Sequence, residues 1–321
     1  MPQSDNLSKI AEAITADLAG NASTTTQSPG DDSTKIATTA YADAAGVKPT
    51  YSWLEQIGSS LNLSSASVHS ISAMNKNEIA LLESNSSQLR YMEWDGNVFA
   101  QVGSAVTVSE GVVGRLTSTD VVAYNSGTEE LITFRWGGAS WSQVGNRLDV
   151  GYMEDDRMCA MGSNACAISN TWTNRLEHYS FDGTDWTSDG YLTITLYNAA
   201  LIALNATDIA VVGGSSDWIR TYRWTGSAWE QIGNTFSINI SGTDVTALNS
   251  TDIVTVSNQT INTFRFDGTD WTKIGVDNYL TGTGSKVTAL NGIDIAFIDS
   301  TSDDLSVYRF DFSVGSGPST E

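Results

Sequence analysis

The residues able to carry chemistry are few. The chain holds two histidines, His69 and His178, and two cysteines, Cys159 and Cys166, among 321 residues. The histidines fall in separate stretches with no nucleophile motif beside either. No G-x-S-x-G, H-E-x-x-H or phosphate-loop pattern occurs, so both histidines read as structural. The cysteines lack the spacing and histidine partners of a zinc site and do not make a disulfide framework. They read as buried free thiols. One acidic cluster, Glu154-Asp155-Asp156, has the oxygen ligands a calcium ion prefers, but a solvated loop is the plainer reading. Paired carboxylates for glycoside hydrolysis are available in so acidic a chain, yet no pair stands out. The expectation is a protein with no catalytic residues, no metal and no cofactor, hence not an enzyme.

Charge narrows the partners. Lys plus Arg total 16 against 37 Asp plus Glu, a formal charge of −21. Nucleic acid requires a basic footprint, and anionic membrane surfaces repel such a chain. No run of about eighteen apolar residues is present. Asp5, Lys9, Glu12 and Asp17 interrupt any apolar signal core, so the expectation is synthesis in a cytoplasm.

The elements that would position any site come from a repeat. Thr263–Gly275 (TFRFDGTDWTKIG) is echoed at Thr221–Gly233 (TYRWTGSAWEQIG) and Thr133–Gly145 (TFRWGGASWSQVG), and more weakly at Tyr91–Gly103 and Tyr179–Gly190. The aromatic before the turn falls at Trp94, Trp136, Phe181, Trp224, Phe266 and Phe310, in steps of 42, 45, 43, 42 and 44 residues. A second motif precedes it: ALNSTDI from Ala247, ALNATDI from Ala203 and ALNGIDI from Ala289. In the fifth unit the pattern predicts strands at Val245–Leu248, Ile253–Ser257, Ile261–Phe266 and Trp271–Ile274, with Asp267-Gly268 suited to a two-residue hairpin. Six four-stranded units of about this period predict an all-β, six-bladed β-propeller over residues 51–314. A sandwich or a solenoid fits the strong turns less well. The sixth unit lacks its W-x-x-I-G strand, while Trp53-Leu54-Glu55-Gln56-Ile57-Gly58 stands alone before the first. The N-terminal strand should therefore close the last blade.

Two further features depend on the repeat. Asp120, Asp208, Asp252 and Asp294 precede second strands in the units whose third strands carry Arg135, Arg223, Arg265 and Arg309. The third unit has Ala165 and Ser180 instead, the first Glu78 and Glu93. Charge and partner vary together, which predicts four structural ion pairs on a face covered by the next blade; a row of carbohydrate-binding arginines is the functional alternative. Aromatics that break the repeat form the candidate ligand-binding set: Tyr152, Trp172, Tyr197 and Trp218. They fall in, or beside, the connections between blades and the loops between second and third strands, which share one face. Local packing of these rings is the simpler reading. A stacking platform for sugars is the functional one.

The first fifty residues differ in kind. Leu7, Ile10, Ile14 and Leu18 fall at helical spacing within residues 5–19. This predicts a short helix stable in a bundle, hence a homo-oligomerisation segment. A Ser/Thr-rich linker follows, then Asp32-Ser33-Thr34-Lys35-Ile36-Ala37-Thr38-Thr39-Ala40-Tyr41-Ala42-Asp43. This stretch resembles a motif of bacteriophage fibre proteins, D-x-S-T-K-I-A-T-T-A-[YF]-V, found near the end of a fibre shaft. Ala42 stands in place of the usual Val. The repeat ending W-x-G-x-x-W-x-x-[IV]-G is similar in style to propeller modules on phage and phage-derived particles.

The resemblance implies a virion fibre or spike. Residues 1–50 would attach it to other virion proteins and assemble it, with a trimer as first expectation, and residues 315–321 would form a disordered tail. The propeller head would bind host-surface polysaccharide during adsorption. Alternatives are a polysaccharide-degrading spike and a soluble multivalent lectin. Ser180–Trp186 looks like the S-x-D-x-G-x-x-W turn of six-bladed sialidases, but its Gly directly follows the Asp, so the spacing fails.

Overall fold

The second strand of almost every repeat unit has apolar residues on both of its faces, as at Ile253, Val254 and Val256 in Asp252-Ile253-Val254-Thr255-Val256-Ser257. Such a strand has no solvent face, so both sides of its sheet must be covered by other sheets. The computed structural model satisfies this with six four-stranded antiparallel blades packed face to face. It describes residues 50–313 except 64–67, 84, 154–156, 195, 197–198, 214–217, 239–243, 258–259, 280–285 and 300. The expectations for residues 1–49 and 314–321, including the helix with Leu7, Ile10, Ile14 and Leu18 and the fibre-like motif, lie outside the described residues.

After β1 (Thr50–Asn62), blade 1 holds β2 (Val68–Asn75), β3 (Glu78–Glu83), β4 (Gln88–Trp94) and β5 (Phe99–Thr107). Blade 2 is β6 (Gly111–Arg115), β7 (Asp120–Asn125), β8 (Glu130–Trp136) and β9 (Trp141–Asp149). Blade 3 is β10 (Arg157–Ala160), β11 (Ala165–Asn170), β12 (Arg175–Phe181) and β13 (Trp186–Thr193). Blade 4 is β14 (Ala199–Ala203), β15 (Asp208–Gly213), β16 (Trp218–Trp224) and β17 (Trp229–Ser237). Blade 5 is β18 (Asp244–Ala247), β19 (Asp252–Ser257), β20 (Thr260–Phe266) and β21 (Trp271–Tyr279). Blade 6 is β22 (Lys286–Ala289), β23 (Asp294–Asp299) and β24 (Asp304–Ser313), and β1 is its outermost strand, in the order β1-β24-β23-β22. The ring closes as the missing fourth strand of the sixth unit predicted. Ser60 Oγ meets Ser306 Oγ at 2.8 Å, and Leu63 N donates to Asp303 O at 2.8 Å.

Burial peaks at the second strands; the innermost strands β10, β18 and β22 bury only their two central residues. The second strands β7, β11, β15, β19 and β23 are buried at every residue, while the fourth strand β9 keeps only Trp141 buried. Two local readings need correction. The Asp267-Gly268 turn is not a two-residue hairpin: Phe266 pairs with Trp271, leaving a four-residue loop. Asp267 Oδ1 accepts both Thr269 N and Asp270 N at 2.8 Å, and only the glycine needs positive φ, at 103°. The fourth strands are also longer than expected, β21 reaching Tyr279 through a register shift opposite Ile261 and Thr263. The glycine of the W-x-x-[IV]-G ending makes this possible. A Cβ on Gly145 (φ 68°) would lie 2.1 Å from Thr184 O, and the next amide, Asn146 N, donates to that carbonyl at 2.7 Å. The glycine thus lets one blade's outer strand seat on the next blade's turn.

At four of the six seams blade-to-blade packing follows one of two chemistries. Thr133 Oγ1 accepts from Trp186 Nε1 at 2.9 Å, and Thr221 Oγ1 from Trp271 Nε1 at 2.9 Å; beside them the following blade has Phe181 and Phe266. At the corresponding position blades 1 and 3 carry rings. Tyr91 stacks on Trp136 (4.4 Å, 5°) and His178 on Trp224 (4.3 Å, 4°). Without the threonine hydroxyl, Trp141 Nε1 and Trp229 Nε1 have no hydrogen-bond partner among the described residues.

The four Asp–Arg contacts are present, each across directly paired positions. Arg265 Nε and Nη2 donate to the two oxygens of Asp252 at 2.6 Å each. Arg135–Asp120, Arg223–Asp208 and Arg309–Asp294 repeat the bidentate geometry. The ALN-x-x-D motif builds the acceptor's seat: Asn249 Oδ1 accepts Thr251 N and Asp252 N at 2.8 Å. The expectation that both partners are covered needs correction. The aspartates are buried, but the side chains of Arg135, Arg223 and Arg309 are 50–55% exposed, and only Arg265, at 12%, is covered. All four pairs lie at strand ends, Arg265 included.

Candidate functional site

Large aromatics are rarely left in water in a fold with this much buried surface. Four stand out among the described residues: Tyr152 (50% exposed), Trp172 (74%), Tyr191 (52%) and Tyr279 (76%). Three belong to blade 3 or to the connection that enters it. Trp172 occupies the turn between β11 and β12, and Tyr152 the connection from β9 to β10. These two places share a face of the propeller. Their rings meet edge to face, centroids 6.5 Å apart at 83°.

The backbone beneath both rings is held. The phenol of Tyr124, fully buried on β7, donates to Gly151 O at 3.2 Å and accepts from Met153 N at 3.2 Å. It thereby grips the chain on both sides of Tyr152. Asp149 Oδ1 accepts from Gly151 N at 2.9 Å, and Gly151 adopts φ 72°. Under Trp172, Asn170 Oδ1 accepts Thr173 N at 3.0 Å, and Asn174 closes the turn at φ 54°. Ile194 N donates to Asn174 O at 2.9 Å, tying the turn to the outer strand. Asparagine tolerates this left-handed conformation better than most residues.

Beside the turn, the Arg175 guanidinium lies 3.9 Å above the Tyr191 ring and 3.9 Å from Glu177. Burial raises the Glu177 carboxyl above its ordinary range, against the pull of the Tyr179 hydroxyl and of Arg175. The Tyr179 hydroxyl donates to Glu177 Oε2 at 2.9 Å. A flat cation on a flat ring leaves an amphipathic surface that suits stacking and hydroxyl bonding together.

Of the four predicted rings, the structure brings Tyr152 and Trp172 together. Tyr197 lies outside the described residues, as do Glu154, Asp155 and Asp156. Trp218 is corrected: it is 6% exposed, in a cluster with Leu176 and Leu196, with Leu192 and Ile194 packed against it, and Arg220 lies 4.0 Å over its ring. It departs from the polar residues of other units because blade 3 offers it an apolar wall. Tyr191, Arg175 and Tyr279 were missed. Tyr191 and Tyr279 sit on fourth strands extended beyond their expected ends.

The remaining reactive groups are built into packing. His178 is 5% exposed between blades 3 and 4, its Nδ1 2.8 Å from Asp189 Oδ2. Cys159 and Cys166 are buried free thiols, and burial pushes Cys159 up to about 12. Among the described residues no group of three or more His, Cys, Asp or Glu is placed to hold a metal ion.

No family model and no curated protein matches the chain. Solved structures do, at low identity. One is a structural genomics protein of unknown function from Bacteroides thetaiotaomicron, at 9% identity and TM-score 0.53, covering 80% of this chain and 76% of that one. The β-propeller domain of Myceliophteria thermophila Cps50 (Swd1) aligns at 8% and 0.50, covering 76% and 84%. The RRP9 WD40 repeats align at 8% and 0.52, covering 81% and 100%. At such identity these likenesses concern the fold alone.

Proposed function

We propose that this chain is a virion fibre or spike protein whose propeller head binds glycans of a host cell surface. One observation carries the reading: the exposed Tyr152–Trp172 pair, in edge-to-face contact on a backbone that Tyr124 and Asn170 hold in place. Sugar rings stack their C–H faces on such indole and phenol surfaces. A preformed platform limits the ordering cost of binding. Tyr191 and Arg175 extend the same blade toward its outer edge, where a longer saccharide would continue. The DDSTKIATTAYAD stretch before the propeller supports attachment to a particle through residues 1–50, with a homo-oligomer presenting several heads and gaining by avidity. The net charge of −21 favours neutral or weakly charged polysaccharides on this face.

The experiment is binding of the protein to purified bacterial surface polysaccharides, with the product mixture assayed for new reducing ends. Saturable binding without release of ends supports an attachment head. Release of ends would make it a degrading spike, and no binding to any polysaccharide tested would remove the glycan reading.

A further inference from the structure

The innermost strands face the propeller axis with their edges, so their backbone groups must find partners other than a neighbouring strand. Over half of the ring, side chains of the preceding blade supply them. Ser70 Oγ and Ser72 Oγ accept Val113 N and Arg115 N on β6, at 3.2 and 3.0 Å. Asp244 Oδ2 and Thr246 Oγ1 accept Val287 N and Ala289 N on β22, both at 2.8 Å. Thr288 Oγ1 accepts Ala73 N on β2 at 2.9 Å.

The other half lacks these caps. By register with β22, the equivalent edge residues are Met158 and Ala160 on β10, Leu201 and Ala203 on β14, and Val245 and Ala247 on β18. The residues that would cap them are Val112, Gly114, Arg157, Cys159, Ala200 and Ile202, none with a side-chain oxygen. Three consecutive blades therefore turn bare strand edge toward a common cavity of about 800 Å³, a volume ordinary for a small-molecule site.

The charge of the cavity runs against that of the chain. Its lining contains Arg115, Arg157 and Lys286 but one carboxylate, Asp244, already engaged by Val287 N. The whole chain has 16 basic residues to 37 acidic. Arg157 makes no ion pair with any described residue, and its Nε is buried without a hydrogen-bond partner among them. Arg115, where the other five blades have alanine, spends one donor on Met74 O at 3.1 Å.

We infer that the central cavity is a binding site for a small hydroxylated carboxylic acid of the sugar-acid class. The cations call for a negative group. The strand edges present N–H and C=O together, so the rest of the ligand must both accept and donate hydrogen bonds, as hydroxyls do. This site is independent of the aromatic platform on blade 3.

The test is a backbone-amide NMR titration of the full chain with sodium glucuronate, with glucose as the uncharged control. The expected result is shifts at the amides of Met158, Ala160, Leu201, Ala203, Val245 and Ala247 with glucuronate and none with glucose. Arg157→Met should weaken that binding about tenfold or more, the cost of losing a charged hydrogen-bond donor. Glucuronate that moves none of these six amides, glucose that moves them equally, or a folded Arg157→Met chain with unchanged affinity would each overturn the assignment. The wild-type titration decides the matter even if that variant fails to fold.

Discussion

The imidazole of His178 lies flat on the indole of Trp224, with ring centroids 4.3 Å apart and planes 4° from parallel. In blades 2 and 4 the same position is a threonine that accepts a tryptophan N–H from the next blade, with a phenylalanine where Trp224 stands. Two self-consistent seams, Thr with Phe and ring with Trp, thus join successive blades of one protein.

The seams can be exchanged. His178→Thr alone should destabilise, because it opens a gap under Trp224 and loses a stacked pair worth about 0.5–1.5 kcal/mol. Adding Trp224→Phe should recover part of the loss, with the introduced threonine hydroxyl now accepting from Trp229 Nε1. The measurement is a double-mutant cycle in chemical denaturation. Strictly additive losses would show that the two positions are not one packing unit.

The same histidine sets an acid limit. Burial lowers its proton affinity below the ordinary 6.5, against the pull of Asp189, and burial lowers His69 likewise, assisted by Lys286. The unfolded chain therefore binds more protons than the native one below about pH 6.5. The histidine contribution to stability is complete above 6.5 and is lost as pH falls through the lower native values. Melting temperature should decline between pH 7 and 5, less steeply in His178→Thr. Equal slopes in the two proteins would exclude His178 as a source.

Burial separates the four ion pairs. Arg265→Ala should cost about 3–5 kcal/mol by stranding Asp252 away from water, and Asp252→Ala in addition should return part of it. Arg135→Ala should cost clearly less, because that guanidinium is 55% exposed and water replaces it. Equal losses at the two sites, read from denaturant midpoints, would contradict the distinction.

Much of this architecture is legible in the residues. The repeat gives blade number, strand order and ring closure, and the joint variation of Asp252 with Arg265 and its three counterparts identifies real contacts. What escapes is whatever depends on a neighbouring blade. Trp218 breaks the repeat as a surface ligand would, yet is buried because Leu192, Ile194 and Leu196 of the preceding unit surround it. The exposure of Arg135 and the cover over Arg265 look identical in one dimension. Tyr124 sits in an unbroken apolar run, and nothing there marks its hydroxyl as the clamp beneath Tyr152.

Ring closure makes a truncation prediction. Leu54, Ile57 and Leu61 of β1 pack against the cores of blade 6 and its neighbours. Removing residues 1–62 should leave the outer edge of β24 unpaired and strip that cover, giving a protein that melts far lower or aggregates. Removing residues 1–48 should preserve the melting temperature. Identical melting of the two truncations would mean β1 does not close the ring.

The central claim is that the Tyr152–Trp172 pair binds host glycan. The most direct measurement is calorimetric affinity for a polysaccharide that the wild-type protein binds, repeated with Trp172→Ala and Tyr152→Ala. Both rings are at least half exposed, so melting temperature should be nearly unchanged in each variant and serves as the folding control. The expected result is about a five- to hundredfold loss of affinity for each, from about 1–3 kcal/mol of aromatic contact. Folded variants, single and double, that bind as tightly as wild type would contradict it.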